Sequence, residues 1–333
     1  MMRMNEEYVS RLHRESLVVD THCDTIMYLL PTRERGTKTR KLNERSDTGH
    51  IDLPRLIEGG VDCQCFAIYT ARQENQPDAL QRALQMIDAF DRECQTTPDI
   101  VMVHNCEEIL NANKEGKVGA LLSLEGSEPL MSDPKLLRIF YKLGVRMVSL
   151  TWNWRTSFAD GISAKRSQSK LTELGIEAIE EMDRLGIVYD VSHLSDSCFW
   201  DVVDVKKTPF VASHSNCRAI CDHPRNLTDD MIKAIADHDG VIGVNFAPNF
   251  VSIEQADVKR LIDHIDHIVK IAGVDYVGLG SDFDGISSTP IGLEDVSKMP
   301  NITRELVERG YCEEDIRKIL GENHLRVFRK ILR

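Results

Sequence analysis

Six residues of this 333-residue chain carry groups that bind metal ions or protons, and each stands where an apolar run is ending. His22 and Asp24 close "LVVDTHCD", Glu125 closes "VGALLSLEG", His193 closes "IVYDVSHL", His214 closes "PFVASHS" and Asp282 closes "YVGLGSDF". Three imidazoles and three carboxylates exceed what one catalytic zinc needs, since such an ion takes three protein ligands and keeps a fourth position open. Two ions fit the set better, because a carboxylate has two oxygens and can bridge metals about 3.5–4 Å apart, the spacing of two-metal hydrolytic sites. A mixture of His, Asp and Glu without cysteine suits zinc and also manganese or cobalt, so the pattern leaves the metal open. Any one of the six alone would read as a satisfied polar residue. Five run ends converging on one chemistry are hard to obtain by chance.

For these groups to meet, the runs that carry them must end on one face. The chain holds eight apolar, β-branched runs of strand length: 17–24, 61–69, 118–126, 145–152, 187–194, 209–215, 241–246 and 276–283. Helical patterns lie between most of them, among them "ALQRALQMIDAFDRE", "LTELGIEAIEEMDRLG", "LTDDMIKAIADHDG" and "DVKRLIDHIDHIVKIAG". Near-continuous apolar strands alternating with helices predict a parallel sheet covered by helices, and eight such units predict a (β/α)8 TIM barrel in the α/β class. The C-terminal ends of barrel strands carry the chemistry of that fold, and all six groups fall there. A doubly wound sheet is the alternative, but the glycines of "GLGSDFDG" do not match a G-x-G-x-x-G phosphate turn. Residues 1–333 read as a single catalytic domain without low-complexity tracts or short repeats. The one long irregular insertion, about residues 31–50 with "RERGTKTRKLNER", is expected to be a solvated loop near the rim of the site.

Composition narrows the partners. Forty-one Lys and Arg against 53 Asp and Glu give a net charge of -12, which repels phosphate backbones and anionic lipid, so neither nucleic acid nor a membrane is expected. The N-terminal "MMRMNEEYVSRLHRESLVVD" is charged and reads as neither signal peptide nor anchor, and nine cysteines without paired spacing fit reduced thiols; both point to the cytoplasm. Cys63 and Cys65 are expected to be small core residues on one strand face. His264 and His267 have a metal-compatible i, i+3 spacing, yet a packed or solvated helix face accounts for them. "DFDG" opens like a calcium loop but lacks the later oxygen ligands, and no G-x-S-x-G elbow offers a serine nucleophile. Trp154 and Phe158 could line a pocket or pack in the core, and His223 could orient the loop that holds Arg225.

Several longer stretches resemble the renal or membrane dipeptidase family of zinc metallopeptidases, which are amidohydrolase-like (β/α)8 barrels. They are "DTHCDT", "SLEGSEPL", "DVSHLSD", "ASHSNCRAICDHPRNLTD", "GLGSDFDG", "GLEDVSKMP" and "GENHLRVF", in the family's order and over nearly the whole chain. The resemblance implies two Zn2+ per chain, with His22 and Asp24 on one, His193 and His214 on the other, and Glu125 bridging them. It implies Asp282 as the acid/base group and Arg225 as the reader of a dipeptide's free carboxylate. It also implies hydrolysis of dipeptides by a metal-bridging hydroxide, tolerance of a C-terminal D-residue, and the homodimer in which the family often occurs. A hydrolase of another carboxylated amide or a lactam on the same barrel is the alternative. One position departs from the better-known animal members: Trp152 stands where they carry a histidine that contacts the substrate carbonyl. There it is expected to act as a wall of the substrate pocket.

Overall fold

The computed structural model describes residues 2–31, 39–70, 76–167 and 169–333. The apolar runs become parallel strands β1 (Val19–Cys23), β2 (Cys63–Tyr69), β3 (Ile100–Met102), β4 (Val118–Glu125), β5 (Val145–Ser149), β6 (Val188–Asp190), β7 (Val211–Ala212), β8 (Val241–Val244) and β9 (Val277–Leu279). Every residue of β1 and β4 is buried, as continuous apolar runs require when both sheet faces are covered. β2 pairs with β4, β4 with β5, and so on in order to β9; β9 pairs with β1 and β1 with β2, which closes an eight-stranded parallel barrel. The ninth strand, β3, was not expected. It lies on the edge of β4 at Val118–Ala120, below the point where β5 begins to pair at Leu122, and so adds to the barrel without entering its ring.

The four quoted helical patterns form helices at Gln76–Thr96, Glu173–Leu185, Asp229–Asp237 and Val258–Ala272. Thr172, Thr228 and Asp257 stand at the N-caps of the last three, where their side-chain oxygens accept the N–H groups of Gly175, Met231 and Arg260. A large apolar layer fills the space between strands and helices. A second cluster gathers Val19, Cys63, Cys65, Leu121, Met147, Val188, Val211 and Val241 from seven strands and packs them on Leu325, Val327, Phe328 and Ile331 of the C-terminal helix Asn323–Ile331. The lower end of the barrel is therefore plugged with side chains, and Cys63 and Cys65 are core residues as expected.

Of the insertion at 31–50, residues 32–38 lie outside the described residues. The rest, residues 39–50, is mostly exposed, as a solvated loop requires, but Leu42 is buried and Arg40 turns inward. The Arg40 side chain is buried, its guanidinium 4.4 Å from the Tyr28 ring centre and 2.7 Å from Asp284 Oδ2.

Candidate active site

The upper ends of β1, β4, β6, β7 and β9 bring all six groups together. Glu125, the last residue of β4, sits among three imidazoles: its Oε1 is 3.0 Å from His193 Nε2, 3.6 Å from His214 Nε2 and 3.7 Å from His22 Nε2. Asp24 Oδ2 is 3.5 Å from His22 Nε2, and the His22 and His214 rings stack with centres 3.8 Å apart. Three overlapping sets, His22–Asp24–Glu125, Glu125–His193–His214 and His22–His214–Asp282, each keep their donor atoms within 4.8 Å of one another. Backbone bonds fasten the ends of β1 and β9 together, from Asp282 N–H to His22 O at 3.1 Å and from Asp24 N–H to Phe283 O at 2.9 Å.

Neighbouring side chains decide which nitrogens face inward. His193 Nδ1 lies 2.8 Å from Asn153 Oδ1, an acceptor, so that nitrogen carries the proton. Ser213 Oγ donates to Asp190 Oδ2 at 2.6 Å and is therefore left to accept from His214 Nδ1 at 2.7 Å. Both Nε2 atoms then present lone pairs to each other across 2.9 Å. Two facing lone pairs beside a carboxylate call for a cation. Both nitrogens of His22 and Oδ1 of Asp24 are buried without a hydrogen-bond partner among the described residues, a costly state unless a ligand completes it. Residue 285 is glycine where a β-carbon would stand 2.1 Å from Asp24 Oδ2 and 2.5 Å from Asp282 Oδ1. The donor set, the orphaned atoms and the cleared space all fit a divalent ion.

Electrostatics point the same way. Burial pushes Glu125 well above the usual carboxylate range, His22 opposing and Asp24 and Asp282 adding to the rise. Burial likewise pushes Asp282 up to about 6, while the charge of His22 pulls it down and Asp24 pushes it further up. Burial works against a charge on His22, but Glu125, Asp24 and Asp282 outweigh it and raise that imidazole to about 10. His193 and His214 fall well below the imidazole range because they are buried and face Arg225 and His22. Such opposed shifts in one cluster mark a functional site.

A cavity of about 320 Å3 opens over these groups and is lined by Asp24, Glu125, His193 and Asp282, by Tyr69 and Trp152 on one side, and by Arg225, Asn249 and Phe250 on another. Arg225 is 5% exposed. Its Nη2 donates to His214 O at 3.2 Å, its Nε has no partner among the described residues, and its guanidinium carbon is 5.6 Å from the Phe250 ring centre. His223 does hold this loop, its Nδ1 accepting the Arg225 N–H at 3.2 Å while its ring packs on Phe250. Trp152 is half-buried between the rings of Tyr69, at 5.3 Å, and His193, at 5.8 Å. Phe158 is fully buried core rather than pocket lining. His264 and His267 join no metal-ligand group among the described residues: His264 bonds Cys217 N–H and Val251 O inside the core, and His267 meets Asp229.

Sequence reasoning passed over Asn153, Asn245, Ser213, Asp190 and Asp20, and set Asp284 aside with the rejected calcium loop. Asn245 donates to Asp282 Oδ2 at 2.8 Å. It follows β8 just as the six groups close their own runs, so the same positional rule would have found it had amides been counted. Asp284, the second aspartate of "DFDG", receives Thr25 Oγ1, Arg40 and the His50 N–H. It ties the 40–50 segment to the site.

A model of the membrane dipeptidase family, peptidase family M19, matches residues 6–333. The chain belongs to this family. Dipeptidase 3 of Mus musculus is 33% identical over 336 residues, which span 99% of this chain and 67% of that protein. A metallo peptidase from Rhodobacter sphaeroides, solved with a phosphinate mimic of the dipeptide L-Ala-D-Ala, is 28% identical over 95% of this chain and 99% of its own, with a TM-score of 0.86. A probable dipeptidase from Pseudomonas aeruginosa, 24% identical over 99% of both chains with a TM-score of 0.90, carries the fold alone. This member of the membrane dipeptidase family is accordingly an enzyme, a metallo-dipeptidase on a closed parallel barrel. No helix among its described residues is long and apolar enough to cross a membrane.

Proposed function

We propose that this dipeptidase uses one catalytic unit, residues 1–333, to cleave dipeptides with a free C-terminal carboxylate at a centre for two divalent ions, zinc first and manganese or cobalt in its place. The observation that carries the reading is Glu125, whose one carboxylate faces His22, His193 and His214 within 3.7 Å. His22 and Asp24 would hold one ion, His193 and His214 the other, with Glu125 shared. Bound there, the ions would supply a water acidified to near neutral pH and an acid toward the amide carbonyl.

The chain's own residues do the rest. Arg225, buried and with an unpartnered Nε beside the cavity, takes the substrate carboxylate in a planar two-point contact and limits the substrate to short peptides. Asp282, held through Oδ2 by Asn245, takes the proton of the attacking water and passes it to the leaving amine. Burial raises that carboxyl to about 6, which favours a group that both accepts and donates a proton. Because the scissile bond is set by the carboxylate and the ions, the C-terminal residue can be of either hand, a reading supported by the L-Ala-D-Ala mimic in the Rhodobacter sphaeroides relative. Nine unpaired cysteines support a cytoplasmic setting.

Elemental analysis with a dipeptide panel tests the proposal. About two ions per chain are expected, with hydrolysis lost on chelation and restored by zinc, manganese or cobalt, and Glu125→Gln should lose metal and activity together. A fully active chain with one ion would remove the shared-carboxylate centre, and preference for a lactam or another amide over every dipeptide would reassign the substrate.

A further inference from the structure

Beneath the six groups lie two buried aspartates with matching serine partners, and neither is among the six side chains that would face an ion. Asp20, in β1, accepts the Ser281 N–H on Oδ1 at 2.7 Å and the Ser281 hydroxyl on Oδ2 at 2.6 Å. Asp190, ending β6, accepts the Ser213 N–H on Oδ1 at 2.9 Å and the Ser213 hydroxyl on Oδ2 at 2.6 Å, and its Oδ1 also takes the Ser192 N–H at 2.9 Å. Each of these serines immediately precedes a residue of the centre: Ser281 precedes Asp282, Ser213 precedes His214 and Ser192 precedes His193.

Asp282 and His193 have φ of 63° and 72°, the left-handed region that non-glycine residues avoid. Such conformations persist only where the surroundings over-determine them. Here the residue before each turn is gripped twice. Ser281 is held by its N–H and hydroxyl on Asp20, and Ser192 by its N–H on Asp190 and by its Oγ, which accepts the His214 N–H at 3.1 Å. Asp190 acts on His214 as well, since taking the Ser213 proton leaves that oxygen to accept from Nδ1 and turns the Nε2 lone pair toward Glu125.

We propose that Asp20 and Asp190 are a matched pair of positioning residues, Asp20 holding the Asp282 side of the centre and Asp190 the His193–His214 side, so that the donor atoms stand ready before an ion arrives. The inference rests on the two-ion reading, and metal uptake tests it without any substrate. Cobalt titrated into the metal-stripped full chain, followed by calorimetry and by its visible absorption, should bind the parent tightly. Asp190→Asn and Asp20→Asn should each weaken uptake by about ten- to a hundredfold, the range for residues that orient metal ligands, and alter the cobalt spectrum. Excess metal should then restore much of the dipeptidase rate. Asparagine keeps the shape but offers one acceptor oxygen in place of two. Parental affinity and spectrum in both folded variants would overturn the pair. If either aspartate variant does not fold, Ser213→Ala and Ser281→Ala, which remove only the gripped hydroxyls, decide by the same titration: weakened uptake at parental Tm supports the pair and unchanged uptake overturns it. A parent chain that takes up no cobalt would instead overturn the two-ion centre itself.

Discussion

Gly278 and Gly285 belong to one short stretch, and a β-carbon would strike something different at each. At Gly278, in β9, it would stand 2.3 Å from the His324 ring; at Gly285, beyond the end of β9, it would stand 2.1 Å from Asp24 Oδ2. The first contact belongs to the lower end of the barrel, where the polar side chains are bonded to backbone carbonyls and, among the described residues, His324 Nδ1 alone of this clamp is left without a partner. Asn323 Nδ2 donates to Val274 O and Val277 O, His324 Nε2 donates to Leu279 O, and burial lowers His324 to about 3, so the ring stays neutral. The second belongs to the upper end, where His22 and Asp24 keep buried atoms unpartnered and two side chains of the centre sit on left-handed backbone. One end of the fold is finished by its own contacts, while the other is arranged for something that must bind. This matches the division of a (β/α)8 barrel into a stabilising lower face and a reactive upper one.

If that division holds, changes above should alter turnover and metal content with little effect on stability, and changes below should do the reverse. Asp282→Asn is expected to give the largest effect, a fall in kcat of roughly two to four orders of magnitude with KM and Tm near parental values. Near-normal turnover would remove Asp282 from proton transfer. Arg225→Ala should come next, raising KM for free dipeptides about ten- to a hundredfold, the loss of a charge-assisted pair, while C-terminally amidated dipeptides change little. Equal damage to both would make Arg225 a support of the His214 backbone, to which it also donates.

The two glycines give the sharpest contrast because the substitution is the same. Gly285→Ala should crowd Asp24 and Asp282 and reduce metal uptake by about tenfold, the lower range for disturbed metal sites, without much change in the Tm of the metal-free chain. Gly278→Ala should overpack the His324 contact at a cost of about 1–3 kcal/mol and lower Tm by a few degrees, leaving kcat and KM intact. Thermal melts and metal analysis on both variants would show whether the ends are as separate as their packing implies. A loss of metal in Gly278→Ala would mean that the lower clamp reaches the centre through β9.

The upper end was the more legible in the sequence, for a physical reason. Its six groups close apolar runs, so position along a strand announces them, and the runs stand out because strands buried on both faces contain little else. β3 escaped notice because three residues with one buried side chain make no run. The residues that orient the centre left no such trace. Asp20 and Ser281 are 261 residues apart and become partners only when β1 and β9 close the barrel. Asp284 drew notice only within "DFDG", a calcium-like opening that was rejected, whereas its partners Arg40 and His50 come from a distant insertion. The C-terminal "GENH" was visible as a pattern, but its role as a clamp depends on a missing β-carbon in β9.

Trp152 lies on the border between these two kinds of residue, and its substitution should have the smallest effect. Its indole is wedged between Tyr69 and His193 at the side of the cavity. An indole donates one hydrogen bond and otherwise offers an apolar face, whereas a histidine there could donate, accept or carry charge. Asn153, next in the chain, already fixes the His193 proton, so that task does not fall to the indole. What remains is shape. Trp152→Ala should therefore reorder the preferred dipeptides by a few-fold in kcat/KM, about 1 kcal/mol of side-chain contact, while kcat on the best substrate stays within a factor of a few. Trp152→His should preserve hydrolysis. A large and uniform fall in kcat across the panel at unchanged KM would place the indole in the transition state and refute the wall. A fall in bound metal instead would show that its packing on His193 belongs to the centre, and would move Trp152 into the company of Asp20 and Asp190.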